Sequence, residues 1–310
     1  MKSHRFLQVD VFTGMPYFGN ALALVFYAEG VDDGAMQRFA RWTNLSETCF
    51  LLPPLAPSAD YRVRIFTREG EMPFAGHPTL GSCHGWLGAG GRSKATDFIV
   101  QECGVGLVKI RRDAANTEGQ RLAFAAPPLK QAAADPVLLA QVCAALGLRS
   151  SELLASRLLD NGPVWLALLL DSVDTVLRLT PDHSALATLG VKVGVAALHP
   201  TEQPPALISR ANREARAFGP SKTQSTNFSP ALEVRAFAAP IGVNEDPVTG
   251  SLNASLAQWL VAEGRLPARY TASQGVCVGQ AGQIYLECDA RGQMWVGGES
   301  VTCIDGQVVL

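Results

Sequence analysis

The chain has 310 residues, 47% of them hydrophobic and 17% charged, with a formal net charge of −2. That balance specifies a folded protein with a large core and excludes a disordered one, and the length predicts two domains. No block of like charges occurs, which excludes a nucleic-acid footprint or a polybasic membrane patch and leaves small molecules as the expected partners.

Phe6 to Phe12 alternates apolar and polar residues, the pattern of an opening strand rather than of a signal peptide. Gly14, Pro16, Gly19 and Asn20 form a loop, and Ala21 to Tyr27 reads as a second strand. Ala35 to Thr43 is an amphipathic helix, Glu47 falls in the turn after it, and Cys49 to Leu52 is an apolar run. Tyr61 to Phe66 alternates again. A loop rich in proline and glycine, EMPFAGHPTLG at 71–81, then leads into a helix with Leu80, Cys83 and Leu87 on one face. Gly85 to Gly91 follows that helix instead of opening one, so it reads as a C-terminal cap and not a phosphate cradle. Pro136 to Leu146 predicts a further helix, and Trp165 to Leu170 and Ala206 to Ser209 predict strands. The stretch Ala211 to Thr226 reads as a flap. The longest apolar run, Val164 to Leu170, is too short to span a bilayer. Seven cysteines without a CxxC pair predict reduced, mostly buried thiols and a cytoplasmic protein.

The chain repeats itself. Arg64-Ile65-Phe66, Glu71-x-Pro73-x-x-Gly76-His77 and a helix ending near Leu87 return as Arg235-Ala236-Phe237, Glu245-x-Pro247-x-x-Gly250-Ser251 and a helix ending at Leu260. Gln101 and Gln274 then precede similar glycine-bearing segments. The repeat predicts two similar halves of α+β class, joined around Gln120 to Gln131. In each half a strand ends, proline fixes φ, glycine frees the backbone, and a helix begins at once. Thr249 or Ser251 is the predicted N-cap of the second helix. Two helix N-termini facing each other would form an anion site between the halves.

His77 lies at one of these corners, Asp246 and Ser251 at the other, and with Glu47 from a separate turn they could supply a base, an acid and anchors for proton transfer. Each has a plainer reading from spacing alone. Glu47 suits a turn held by Ser46, His77 a loop bonded to a carbonyl, Asp246 a turn before proline, and Ser251 a helix cap. Arg64 and Arg235 read as structural partners of carboxylates in their own halves, while Arg68-Glu69-Gly70 has no assigned role. His77, Cys83 and His84 match no zinc spacing, and Cys49 opens an apolar run as an inert thiol would.

Five stretches resemble the PhzF family of phenazine-biosynthesis-like isomerases: VDVFTGMPYFGNALALV (9–25), LSETCFL (45–51), EMPFAGHPTLG (71–81), EDPVTGSLNASLAQWL (245–260) and MWVGGESV (294–301). The resemblance implies a diaminopimelate epimerase-like fold with two pseudo-symmetric domains, each a mixed sheet wrapped around a central helix. The expected spans are 1–122 and 123–310, with the last strand crossing back to the first domain. It implies a cofactor-independent isomerase of a small carboxylate-bearing substrate such as 2,3-dihydro-3-hydroxyanthranilate, without a metal. Glu47, His77 and Asp246 would be catalytic; Asn20, Gly76, Gly250 and Ser251 would bind substrate. A homodimer is implied as well. The related epimerases carry a catalytic cysteine in each loop, and neither loop here has one. Two rivals remain open: an amino- or hydroxy-acid racemase, and a binding protein that keeps the cleft without chemistry.

Overall fold

Alternation of apolar and polar residues puts one face of β1 (Ser3–Val11) into the core, and β1 pairs antiparallel with β2 (Asn20–Val25). A computed structural model of the chain describes residues 2–112, 121–200 and 229–310. The predicted strand at Ala206 to Ser209 and the flap at Ala211 to Thr226 lie outside the described residues.

The first half continues with α1 (Asp33–Thr43), β3 (Glu47–Leu52), β4 (Tyr61–Phe66), the short β5 (Glu71–Met72), α2 (Gly76–Gly88), β6 (Ile99–Cys103), β7 (Gly106–Arg112) and β8 (Leu122–Ala125). The second comprises β9 (Lys130–Ala132), α3 (Pro136–Leu146), β10 (Leu153–Asp160), β11 (Val164–Leu170), α4 (Val173–Arg178), α5 (His183–Leu189), β12 (Val193–Leu198), β13 (Leu232–Ala238), β14 (Val243–Asp246), α6 (Gly250–Ala262), β15 (Arg269–Gln274), β16 (Gly282–Cys288) and β17 (Met294–Gly298). The final strand, β18 (Ser300–Val309), pairs antiparallel with β1.

The duplication is complete at the level of strand pairing. In the first sheet the order is β18-β1-β2-β3-β4-β6-β7-β8, with β2–β3 and β4–β6 parallel and the other neighbours antiparallel. In the second it is β9-β10-β11-β12-β13-β15-β16-β17, with parallel pairs at the same two places, β11–β12 and β13–β15. The sheets join where β8 pairs antiparallel with β17.

Each sheet curls around one helix. The sequence predicts a single apolar stripe on the second helix, yet both α2 and α6 are buried on nearly every side, polar residues included. A helix enclosed by a sheet has no solvent face, so it is apolar and small-residued all round. A Cβ on Gly81 would lie 2.6 Å from Leu22 Cδ2, so glycine there lets β2 lie close against α2. Outside the sheets, α1 covers the first through Met36, Phe39 and Ala40, while α3, α4 and α5 cover the second through Val142, Val176 and Leu186. No helix among the described residues is long and apolar enough to cross a membrane. All seven cysteines are free, but only Cys49 and Cys83 are buried and Cys277 is exposed, so "mostly buried" does not hold.

The repeated arginines tie strand to loop, as expected. Arg64 donates to both Glu71 oxygens, at 2.8 and 2.6 Å, and Arg235 to both Glu245 oxygens, at 2.9 and 2.8 Å. Their surroundings differ: the Arg235–Glu245 side chains are 5% and 7% exposed, against 23% and 42% for Arg64–Glu71. Arg235 also donates to the carbonyls of Val176 and Leu179. Removing one partner of a buried pair leaves an uncompensated charge, whereas an exposed pair is replaced by water. Urea denaturation should therefore find Arg235→Met destabilising by roughly 3–5 kcal/mol and Arg64→Met by about 1 kcal/mol or less. Equal losses would contradict the asymmetry.

Candidate active site

The two central helices meet end to end. A Cβ built on Gly76 would lie 3.0 Å from Gly250 Cα, and one on Gly250 3.1 Å from Gly76 Cα, so only glycine fits at the first residue of either helix. Neither N-cap residue, Ala75 or Thr249, caps its helix through a side chain. The expected capping by Thr249 or Ser251 does not occur: the Thr249 hydroxyl donates to Asp246 Oδ2 at 2.6 Å, and Ser251 sits one residue inside α6. Two positive helix ends with uncapped N–H groups thus converge on one corner, an arrangement suited to an anion.

A cavity of about 250 Å³ opens there, lined by Glu47, His77, Lys192, Asp246 and Ser251 among others. Its size suits a small metabolite. Glu47 is the first residue of β3, not a turn residue, because parallel pairing with Leu22 extends the strand back to it. Burial, with a smaller push from Asp246, raises its carboxyl to about 8, against the pull of Lys192. His77, the second residue of α2, brings Nε2 to 3.3 Å from Glu47 Oε2 without hydrogen-bond alignment. Burial lowers the imidazole to about 3, so at neutral pH the pair is a neutral histidine beside a mostly protonated carboxyl.

Asp246 ends β14. Burial raises it to about 6, restrained by hydrogen bonds from Thr249 and Asn20 and by the charge of Lys192. The two carboxyls of one cavity therefore differ in protonation near neutral pH. Ser251 Oγ accepts from Trp165 Nε1 at 3.2 Å, which leaves its proton free to donate to a ligand. The whole corner is fastened by Gln274, whose Nε2 donates to the Asp246 carbonyl and to Thr249 Oγ1, both at 2.9 Å, and whose Oε1 accepts from Thr249 N at 3.0 Å.

Glu47, His77, Asp246, Gly76, Gly250 and Ser251 therefore come together. Asn20, expected with the substrate ligands, does not line the cavity. Its amide nitrogen donates to Asp246 Oδ1 at 2.8 Å and to the Val248 carbonyl at 2.9 Å, so it orients Asp246. Cys49 is buried outside the cavity and burial drives its thiol upward, away from reactivity. Sequence reasoning missed Lys192, Trp165 and Gln274. The repeat contained a signal for Gln274 through its match with Gln101, which holds Thr79 Oγ1 at 3.0 Å in the first half. Arg68, left without a role, reaches across the mouth of the cavity to the Gly242 carbonyl at 2.5 Å and to Asn44 Oδ1 at 3.2 Å.

Comparison with known proteins agrees with this architecture. Residues 9–306 match the PhzC-PhzF family, described as phenazine biosynthesis-like protein. The chain belongs to that family. Among curated PhzC-PhzF relatives, antisense-enhancing sequence 1 of Schizosaccharomyces pombe is 33% identical, with 99% of each chain covered. Trans-2,3-dihydro-3-hydroxyanthranilate isomerase of Pseudomonas aeruginosa is 30% identical over 99% of this chain and 100% of that one. The solved PhzF-family phenazine biosynthesis protein of Bacillus anthracis superimposes with a TM-score of 0.79 at 20% identity, both chains covered in full. The fold is thus the expected α+β, diaminopimelate epimerase-like one, and this PhzC-PhzF member is an enzyme of the isomerase class.

The raised Glu47 carboxyl has a consequence for stability. The folded state holds that proton more tightly than the unfolded chain, so the contribution is full below about pH 4.5 and lost as pH rises through about 8. Glu47→Gln cannot ionise. In urea titrations it should gain on wild type from acid to mildly alkaline pH, by at most about 1.4 kcal/mol per pH unit. Parallel profiles for the two proteins would count against a buried, raised carboxyl.

Proposed function

We propose that the chain catalyses a cofactor-independent proton shift on a small carboxylate-bearing substrate of the 2,3-dihydro-3-hydroxyanthranilate type, with Glu47 as the acid/base. The substrate carboxylate lies at the paired N-termini of α2 and α6, with the Ser251 hydroxyl as a further donor. Ionised Glu47 takes a proton from substrate carbon. The same carboxyl, now protonated, returns it at another ring position. His77, neutral and adjacent, holds the carboxyl in place, and Asp246 stays ionised to orient a donor group of the substrate. The homodimer implied by the resemblance and the cytoplasmic setting read from the cysteines belong to the same proposal.

One observation carries the reading: a carboxyl raised to about 8 shares a cavity with an uncapped double helix terminus. General acid–base catalysis works best when the pKa lies near the working pH, and this one does. The 30% identity to a named trans-2,3-dihydro-3-hydroxyanthranilate isomerase supports the choice of substrate. A two-thiol racemase finds no support, since no cysteine lines the cavity.

The test is proton NMR of 2,3-dihydro-3-hydroxyanthranilate in deuterated buffer, with wild type and Glu47→Gln in parallel. Wild type should isomerise the ring and take up solvent deuterium, and the variant should be slower by about 10²–10⁴-fold. For wild type, kcat/KM should rise with pH and level off above about 8, because the base form of Glu47 is needed at the start. An unaltered substrate, or full activity in Glu47→Gln, would refute the proposal.

A further inference from the structure

Strand register uncovers a residue that the repeat motifs hide. Arg64 pairs with Phe50 and its counterpart Arg235 with Val195. Counting back the same number of residues along β3 and β12 reaches Glu47 in one half and Lys192 in the other. The duplicated scaffold thus aims a carboxyl and an ammonium into one cavity from equivalent positions, and both line it.

Lys192 is half-buried, and its ammonium has no ion pair or hydrogen bond among the described residues. Its contact is the Trp165 ring, with Nζ 5.0 Å from the centroid, and that indole holds Ser251 at the anion corner. Among the described residues the other cation lining the cavity, Arg68, is engaged with Asn44 and the Gly242 carbonyl. Lys192 acts electrostatically on both Glu47 and Asp246, which places its charge within reach of the reacting groups. An ammonium kept half-buried without a partner is costly unless a ligand completes it.

We propose that Lys192 is a catalytic residue that contacts the substrate and stabilises the enolate-type oxyanion formed when the carbon-bound proton leaves; this rests on the Glu47 reading above. The C–H bond breaks, its proton forms an O–H bond on Glu47, and the electron pair passes through the conjugated system onto a substrate oxygen. The helix termini already balance the ground-state carboxylate. The second negative charge develops only in the reaction, and Lys192 meets it. When Glu47 returns the proton to another carbon, the pair flows back and the charge disappears. A group aimed at charge that develops in the transition state acts on kcat more than on KM.

Two readouts test this, with Lys192→Met, Lys192→Arg and Glu47→Gln beside wild type, each checked for a single cooperative melting transition above the assay temperature. In calorimetry, wild type should bind phthalate, a dianion, about tenfold more tightly than benzoate, a monoanion. Lys192→Met should lose that preference and Lys192→Arg keep it. In turnover of 2,3-dihydro-3-hydroxyanthranilate, Lys192→Met should lower kcat by about 10²–10³-fold with KM within about threefold. Lys192→Arg should recover part of the rate. No phthalate preference in wild type, an unchanged preference in Lys192→Met, or a normal kcat in that variant would each overturn the assignment. Full activity in Glu47→Gln would instead sink the Glu47 reading, and the phthalate comparison would still judge Lys192.

Discussion

The approach of Gly76 to Gly250 is the constraint on which the site depends. Two buried helices can meet end-on only if their first residues carry no side chain, and both are glycine. The meeting sets two positive helix termini against each other, which is unfavourable unless negative charge comes between them. The protein does not supply that charge by capping. Asp246, the nearest candidate, is held back by Asn20, while Thr249 turns its hydroxyl to Asp246 and not to the helix. The corner is therefore built to be completed by a ligand.

Burial and hydrogen bonding contend for the two carboxyls, and the balance separates them. Desolvation is the largest influence on both. Asp246 has two side-chain donors, from Asn20 and Thr249, which recover part of the lost hydration and hold it to about 6. Glu47 has only a misaligned histidine nearby and a carboxylate that repels its ionised form, so it rises to about 8. The difference thus lies in the donors around each group, and at neutral pH one carboxyl holds a proton while the other has lost it.

Much of this was legible in the sequence, for local reasons. The repeated R-x-F and E-x-P-x-x-G patterns encode a strand, an anchored loop and a helix start in contiguous residues, so the halves and the convergence of Gly76 and Gly250 could be read directly. His77, Asp246 and Ser251 followed from those loops, while Glu47 came from a separate turn and the family resemblance. What escaped depends on pairing between distant segments. Lys192 stands alone before an apolar strand, and nothing next to it signals a site until the β12–β13 register is compared with β3–β4. Asn20 was placed with the substrate by the resemblance alone, and its amide is held by Asp246 and Val248, far along the chain. The all-round burial of α2 was read as one apolar face because a wrapped sheet leaves no trace in helical periodicity.

The pairing of β18 with β1 bears on the order in which the protein can assemble during synthesis. Ten residues that follow every segment of the catalytic corner complete the sheet that starts at Ser3. With all helices and most strands of the first half already outside the ribosome, one side of β1 stays unpaired along its length until β18 emerges. Closing a contact over such a sequence separation is slow, because the intervening chain must first be ordered. An unpaired β1 edge is meanwhile open to other strands. The second half meets no such delay, since its equivalent strand β9 precedes β10 directly apart from α3. Pseudo-symmetry of the folded molecule thus conceals an asymmetry in time: the half made first is the one finished last.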